Sequence, residues 1–270
     1  MKTVIDSGKG KRLLRLKPLF EYRELTMMLA FRDFKVRYAH TWLGVLWAFV
    51  QPISTLLIFV FVFHRVAGIS SGSIPYPVYT MAGVSAWSFF AFVLSQSGQS
   101  IISSQQLVTK VYFPRLIIPI SKALVGFIDF GIALLILFAL MVFYKVTPSS
   151  NIVFLPIVVL MLLILSFAVG IWFSALTIRF RDVQYIIPFM VQIGLYITPV
   201  GYPSGSIPKK YILLYHANPM VGIVEGFRWC LFGDPLNATY FIISVAVILL
   251  LLITGIIYFT AVEGSIADIV

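Results

Sequence analysis

Residues 31–52 read FRDFKVRYAHTWLGVLWAFVQP, and this stretch decides the fold. Its first half carries four charged side chains, namely Arg32, Asp33, Lys35 and Arg37. From Tyr38 onward the chain has no formal charge until Arg65. Because about 20 apolar helical residues cross the hydrocarbon core of a bilayer, the stretch predicts that the chain passes here from water into lipid.

The composition extends this interpretation to the whole chain. Of 270 residues, 60% are hydrophobic and 11% are charged, whereas soluble proteins carry about 25% charged residues. We therefore predict an all-α polytopic membrane protein with one domain, residues 1–270. Its predicted parts are a basic leader (1–20), an interface helix (21–38) and a six-span bundle (41–262). The six spans are expected near residues 41–63, 78–94, 115–145, 152–178, 184–200 and 240–262.

The distribution of positive charge sets the expected orientation. Fifteen of the 20 Lys and Arg residues fall on the side of the N terminus under this topology. Positive charge concentrates on the cytoplasmic side of membrane proteins, so both termini are expected there. The net charge of +10 has the same explanation, and we expect no nucleic-acid partner.

Two segments on the expected cytoplasmic side lie outside the spans. Residues 20–38 place apolar side chains among charged ones, which suits a helix in the interface plane. Its apolar side chains are Leu25, Met28, Leu29, Phe31 and Val36. This helix serves either as an anchor or as a docking surface for a cytoplasmic partner. Residues 95–109 are uncharged but rich in Ser and Gln, and we expect an amphipathic cytoplasmic segment.

Polar residues inside the spans are candidate functional positions. Gln51 lies beside Pro52 in the first span, which fits either a water-lined path or a hydrogen bond between helices. Lys122 and Asp129 are seven residues apart on one predicted helix face. A structural pairing between these two is favoured over a functional role for the acid.

The segment between the fifth and sixth spans, residues 201–236, is too long and too mixed for a simple turn. We expect two short helices that dip into the outer leaflet. On the second helix, Glu225 and Arg228 are three residues apart, which predicts an ion pair. The fifth span contains Pro188, Gly194 and Pro199 and is expected to bend.

The sequence carries no motif for chemistry of its own. A GxxxxGK[ST] loop, an HExxH motif, a CxxC pair and a GxSxG turn are all missing from it. The three histidines, His40, His64 and His216, are far apart in sequence, so we expect no metal site and no catalytic residue. If the chain serves active transport, its energy must come from a partner.

Several motifs in a fixed order resemble a known family. They are Arg32-Asp33-x-Lys35-x-Arg37-Tyr38 with Leu43-Gly44, Trp47 and Pro52; 110–115 (KVYFPR) with Pro119; Arg181-Asp182-Val183 with Pro188 and Gln192; Thr198-Pro199-Val200; Asn218-Pro219-Met220; and Glu263 with Ala267-Asp268. This set resembles the permease subunit of ABC-2 type polysaccharide exporters, which move O-antigen, capsule and teichoic-acid polymers. The likeness runs from about residue 20 to residue 270.

The resemblance implies a function and its partners. It implies a homodimer in the bacterial cytoplasmic (inner) membrane, joined to two copies of a cytoplasmic ABC ATPase. The substrate would be a polyprenyl-diphosphate-linked glycan. ATP and Mg would be bound by the ATPase, with no cofactor in this chain. The residues implied to couple to the ATPase are Glu24, Arg32, Asp33, Lys35, Arg37, Gln105, Lys110, Arg179, Arg181 and Asp182.

The resemblance also implies a path and an outer gate. Aromatic rings can stack on the apolar C–H faces of sugars and still let a polymer slide. The candidate path residues are Trp47, Gln51, Trp87, Phe89, Phe90, Tyr196 and Tyr202. The candidate gate residues are Tyr211, Tyr215, Asn218, Pro219, Phe227 and Trp229.

Three alternatives remain open at the level of sequence. An exporter of the same architecture for small hydrophobic compounds or ions would need an enclosed, mostly apolar site. A membrane enzyme acting on a polyprenyl-linked substrate would need converging acids, but Asp129, Asp182 and Glu225 belong to different membrane levels. A passive channel would need a ring of charge or a filter motif, and the sequence shows neither.

Overall fold

The computed structural model describes residues 20–38, 44–111 and 113–263. The predicted basic leader, the start of the first predicted span and the last seven residues lie outside these ranges. Within the described residues all regular secondary structure is helical, which confirms the all-α prediction. The division of the chain into leader, interface helix and bundle stays a prediction.

The α-helices of the described residues are numbered here in chain order. They are α1 (Arg23–Tyr38), α2 (Trp47–Phe59), α3 (Tyr76–Gly98), α4 (Ser100–Ser103), α5 (Gln105–Lys110), α6 (Ile117–Phe143), α7 (Leu155–Arg179), α8 (Val183–Ile197), α9 (Ile212–His216), α10 (Pro219–Phe232) and α11 (Ala238–Glu263). A π-helical segment, Val60–Val66, prolongs α2. Prolines in the first turn favour the starts of α3, α7 and α10. Gly233, with φ of 75°, ends α10 in the left-handed conformation.

Five helical stretches are long and apolar enough to cross a membrane. They are Gly44–Val66, Tyr76–Gly98, Ile117–Phe143, Ser150–Arg179 and Ala238–Glu263. The sixth predicted span corresponds to α8, which has 15 residues and a length of about 22 Å. The polytopic architecture is therefore confirmed, while the exact number of six spans stays a prediction.

Helix α8 nevertheless runs beside α3 over most of its length. Three glycines mark close contacts between the two segments, as the distances from a Cβ atom added to each glycine show. At Gly98 the atom would lie 2.4 Å from Ile187 Cδ1, and at Gly83 it would lie 2.9 Å from Val200 Cα. At Gly194 it would lie 2.5 Å from the ring of Trp87. The chain turns after α8 and continues along α3 where the helix itself has ended.

Helix α3 is the centre of the bundle, since it packs against α2, α6, α7, α8 and α10. Helix α11 packs on the outside of α7, where Trp172 Nε1 donates to Thr254 Oγ1 at 3.1 Å. Apart from that seam α11 is largely exposed, as expected for a helix that faces lipid.

Helix α1 packs along the first half of α6. Its apolar side chains do not share one environment. Leu29 is buried against the bundle, whereas Met28, Phe31 and Val36 are exposed. The division arises because the side of α1 that contacts α6 carries charged residues, which pair with charges on α6.

Candidate functional site

A cleft of about 390 Å³ opens between α2 and α8, with α3 and α6 behind it. Its polar lining includes Gln51, Thr55, Ser88, Ser95 and Gln192. Its aromatic lining consists of Trp87, Phe89, Phe92 and Phe130. The cleft thus combines hydrogen-bonding groups with aromatic surfaces, the two features that a sugar polymer can contact.

An ion pair also lies in the wall of the cleft. Arg37 Nη2, from the end of α1, is 2.7 Å from Asp129 Oδ2, in the middle of α6. The Arg37 guanidinium stacks 4.4 Å from the centroid of the Phe92 ring. The hydroxyl of Tyr38 donates to Asp129 Oδ1. Burial and this bond to Asp129 raise the pKa of Tyr38 to about 12, so its hydroxyl stays protonated at neutral pH.

A second ion pair joins the same two helices nearer the start of α6. Lys122 Nζ lies 2.7 Å from Asp33 Oδ2, and Arg32 contacts the other oxygen of Asp33 at 2.9 Å. The expected pairing of Lys122 with Asp129 is therefore wrong. Residues seven apart on a helix are about 10 Å apart, too far for direct contact. Asp33 and Arg37 are four residues apart on α1, and this spacing places Asp33 near Lys122 and Arg37 near Asp129.

The predicted ATPase-coupling residues divide into two groups. Eight are exposed: Glu24, Arg32, Lys35, Gln105, Lys110, Arg179, Arg181 and Asp182. Asp33 and Arg37 are instead turned toward α6 by the two ion pairs. The contact of the exposed group with an ATPase stays a prediction.

At the other end of the bundle, Arg228 on α10 is 2% exposed. Its Nη2 donates to the Val200 carbonyl at 2.9 Å, and its guanidinium lies 3.6 Å from the centroid of the Tyr79 ring. Nη1 donates to the Tyr202 carbonyl at 3.4 Å. Burial lowers the pKa of Arg228. This arginine therefore attaches the segment after α8 to α10 and to α3.

The expected pair of Glu225 with Arg228 is wrong as well. Glu225 Oε1 lies 3.3 Å from His216 Nε2, because Arg228 is directed to the opposite side, toward Tyr79 and the Val200 carbonyl. His216 Nδ1 faces the Ile212 carbonyl at 2.8 Å. The two ring nitrogens of His216 therefore face two different oxygens, the Ile212 carbonyl and the Glu225 carboxyl.

The two short helices expected between the fifth and sixth spans are present as α9 and α10. Tyr215 donates from its hydroxyl to that of Tyr202 at 3.3 Å, and Asn218 Nδ2 donates to Thr198 Oγ1 at 3.1 Å. Burial raises the pKa of both tyrosines, so both hydroxyls stay protonated. Of the other predicted gate residues, Tyr211 is exposed, Pro219 begins α10, Phe227 is buried and Trp229 packs on Phe154. Their role as a gate stays a prediction.

Asn218 allows a test of the link between α8 and α10. Its Oδ1 accepts from Met220 N at 3.1 Å and caps α10, while its Nδ2 reaches Thr198. We expect Asn218→Ala to lower thermal stability by about 1 kcal/mol, the usual value of a helix cap. Asn218→Asp should lose less, because the carboxylate still caps the helix. Equal losses in the two variants, measured by thermal unfolding in detergent, would contradict the capping role.

Three of the seven predicted path residues, Gln51, Trp87 and Phe89, line the cleft. Because Gln51 is exposed there, the water-lined interpretation of this residue is the better supported one. The other four lie elsewhere. Phe90 packs against Trp87, and Trp47 and Tyr196 are about half exposed outside the cleft. The Tyr202 hydroxyl donates to the Ile197 carbonyl at the end of α8. A path role for these four stays a prediction.

Sequence reasoning missed the cleft positions of Arg37, Phe92 and Phe130. The available signal was Asp129, an acid inside a span, which needs a partner of opposite charge. Arg37 lies just before the first span and is a cation that can serve as the partner of Asp129.

Comparison with known proteins places this geometry in context. Residues 24–232 match the family model described as ABC-2 type transporter. The chain is 28% identical over 247 residues to "O-antigen export system permease protein RfbA" of Klebsiella pneumoniae, covering 91% of this chain and 95% of that relative. It is 30% identical to the protein of the same description from Myxococcus xanthus, covering 80% and 84%. It is 27% identical to "Polysialic acid transport protein KpsM" of Escherichia coli, covering 76% and 81%.

Proposed function

Because the chain belongs to the ABC-2 type transporter family, we propose that it is the membrane subunit of an ATP-driven polysaccharide exporter. The observation that carries this proposal is the similarity, over most of the chain, to permeases for two different polymers, O-antigen and polysialic acid. The chain is a transport component and not an enzyme. ATP and Mg bind to a separate ABC ATPase, whose hydrolysis drives the movement.

The choice of a polymer over a small hydrophobic compound rests on the relatives. The cleft is compatible with a sugar because Gln51, Ser88 and Gln192 offer it hydrogen bonds, while most of the lining surface is apolar. The lipid-linked form of the polymer, with a polyprenyl diphosphate anchor, belongs to the same proposal.

A second copy of the chain completes the path in this proposal. Helices α2 and α8 flank the cleft and expose large apolar side chains, among them Ile53, Leu57, Phe189 and Ile193. A homodimer formed through the α8 face would cover that face and bring the clefts of the two copies together. The excess of positive charge on the side of the N terminus supports cytoplasmic termini, and the bacterial inner membrane belongs to the same proposal.

Cysteine cross-linking tests the homodimer. The single native cysteine, Cys230, is buried, so an added surface cysteine reacts alone. We expect Ile193→Cys to give a disulfide-linked dimer in oxidised membranes because α8 would meet its symmetry mate there. Ile253→Cys, on the exposed side of α11, is the matched control and should give no disulfide-linked dimer. Cross-linking at Ile253 in place of Ile193 would overturn the proposed interface.

Co-purification tests the ATPase partnership. We expect an ABC ATPase encoded by a neighbouring gene to purify with this chain. Arg181→Glu should weaken that association by about a hundredfold or more, since like charges placed in an interface cost several kcal/mol. Arg65→Glu reverses an exposed charge at the opposite end of the bundle and should leave association unchanged. If no ATPase is recovered, or both variants behave alike, the proposed coupling surface is wrong.

A further inference from the structure

The ion pair in the cleft is exchangeable on one side. Asp129 has two donors, because Tyr38 donates to its Oδ1 while Arg37 contacts its Oδ2. If Arg37 turned to another anion, Asp129 would still accept the hydrogen bond from Tyr38. Arg37 has five N–H groups, its side chain is 31% exposed, and its guanidinium forms part of the cleft wall.

The charges around this pair favour an incoming anion. Along the contact between α1 and α6, the described cations Arg32, Arg37 and Lys122 outnumber the carboxylates Asp33 and Asp129 by one. A planar guanidinium matches two oxygens of a phosphate at once. An anion that enters the cleft therefore meets a net positive surface and a donor of suitable shape.

The rims of the cleft indicate what accompanies the anion. Helix α2 exposes apolar side chains along its side of the opening, among them Ile53 and Leu57, and the proposed contact between two α8 helices leaves this face open to lipid. A ligand that fits both features has an anionic head for Arg37 and an apolar chain for this rim. A phosphate ester of a lipid is such a molecule, whereas a free sugar acid has no apolar chain.

We propose that Arg37 binds the phosphate or diphosphate ester of a lipid-linked substrate, and that Asp129 is the partner that Arg37 leaves when this ester enters. The inference rests on the proposed export function, in which the ester would join lipid to glycan. Asp129 then acts as a competitor for Arg37. A competitor lowers the apparent affinity for the ligand by the fraction of time in which it occupies the site.

Binding of farnesyl diphosphate to the full chain in nanodiscs, measured by titration calorimetry, tests the proposal. We expect Arg37→Gln to weaken binding by about tenfold or more, in keeping with the loss of hydrogen bonds to a charged group. Asp129→Asn should strengthen binding about threefold or more because the competitor is gone. Arg37→Lys, which keeps the charge and loses the fork, should fall between Arg37→Gln and the unaltered chain.

A matched control lies on the same pair of helices. Lys122 pairs with Asp33 in the same contact between α1 and α6, nearer the start of α6. It does not belong to the described lining of the cleft. Lys122→Gln should therefore leave the affinity for farnesyl diphosphate unchanged. If the Arg37–Asp129 pair only holds α1 in place, Arg37→Gln and Asp129→Asn should weaken binding alike, and that result would overturn the proposal.

Two further ligands show which part of farnesyl diphosphate is recognised. Farnesol should bind weakly because it has no phosphate, and inorganic diphosphate should bind weakly because it has no apolar chain. Equal binding of inorganic and farnesyl diphosphate would refute the lipid ester. Should Asp129→Asn fail to give a monodisperse protein, the comparison of Arg37→Gln with Lys122→Gln decides, and equal affinities in those two variants overturn the proposal.

Failure of the inference is distinguishable from failure of the proposed function. If an ABC ATPase co-purifies and glycan is exported, yet Arg37→Gln binds farnesyl diphosphate normally, only the role of Arg37 is wrong. If farnesyl diphosphate binds through Arg37 but neither an ATPase nor glycan export is found, the anion site stands and the export function falls.

Discussion

Replacing Arg228 with Met is expected to destabilise the outer end of the bundle by about 3 kcal/mol and to reduce export by more than tenfold. The substitution removes the donor of the Val200 and Tyr202 carbonyls, and an acceptor left without a partner costs about 1–3 kcal/mol. It also removes the cation from the face of Tyr79, a contact of about 2 kcal/mol when buried. Part of the loss is offset because a buried charge no longer has to be desolvated, which leaves the net of about 3 kcal/mol. Thermal unfolding in detergent and surface display of the glycan measure the two effects.

Two companion variants sharpen this test. Arg228→Lys keeps the positive charge but loses the planar fork, so we expect an intermediate loss of stability. Lys210→Met removes an exposed cation from the same outer segment and should change stability by less than about 0.5 kcal/mol. If Arg228→Met and Lys210→Met unfold at the same temperature, Arg228 does not hold the segment after α8.

The stability of this segment also bears on how movement could pass along the molecule. Arg228 joins α10 to the residues that follow α8, and Asn218 joins the start of α10 to Thr198. A displacement of α8 would therefore act on α9 and α10 through hydrogen bonds rather than through a loose loop. In the proposed function, this is how a change in the bundle reaches the predicted outer gate.

The sequence predicts the helices well because their signals are local. Apolar length identifies α3, α6, α7 and α11, and prolines mark several helix starts. The mixed composition of residues 201–236 predicts two short helices, and α9 and α10 are there. The predicted length of α8 is too great because the uncharged run continues through Thr198–Val200, whereas the helix ends at Ile197 and the chain turns there.

The pairings of charges could not be predicted in the same way. Local spacing favoured Lys122 with Asp129, and Glu225 with Arg228, but all four residues found other partners. Arg37 and Asp129 are 92 positions apart in the chain, and only the packing of α1 on α6 brings them together. A charge inside a span signals that a partner exists, and the fold decides which residue it is.

Replacing Trp87 with Ala is expected to reduce glycan export about tenfold or more. Trp87 lines the cleft, packs against Gly194 of α8 and contacts Phe90 with ring centroids 5.4 Å apart. Its loss removes an aromatic ring from the wall of the cleft and leaves a cavity, which costs about 3–5 kcal/mol for a buried tryptophan. Trp87→Phe keeps an aromatic face in the same place, so it should retain more than half of the export and most of the stability.

The matched controls for Trp87 are aromatic residues that sequence reasoning assigned to the same path. Trp47 and Tyr196 are 50% and 55% exposed and lie outside the cleft. If this cleft is the path, Trp47→Ala and Tyr196→Ala should each reduce export by no more than about twofold. Substitutions at such exposed sites also change stability by only about 0.5 kcal/mol or less. Surface display of the glycan, normalised to the amount of protein in the membrane, separates transport from stability. Full export by Trp87→Ala would contradict a path through this cleft. A larger loss in Tyr196→Ala would place the path on the exposed face of α8, because the aromatic contact with the polymer would then be made there.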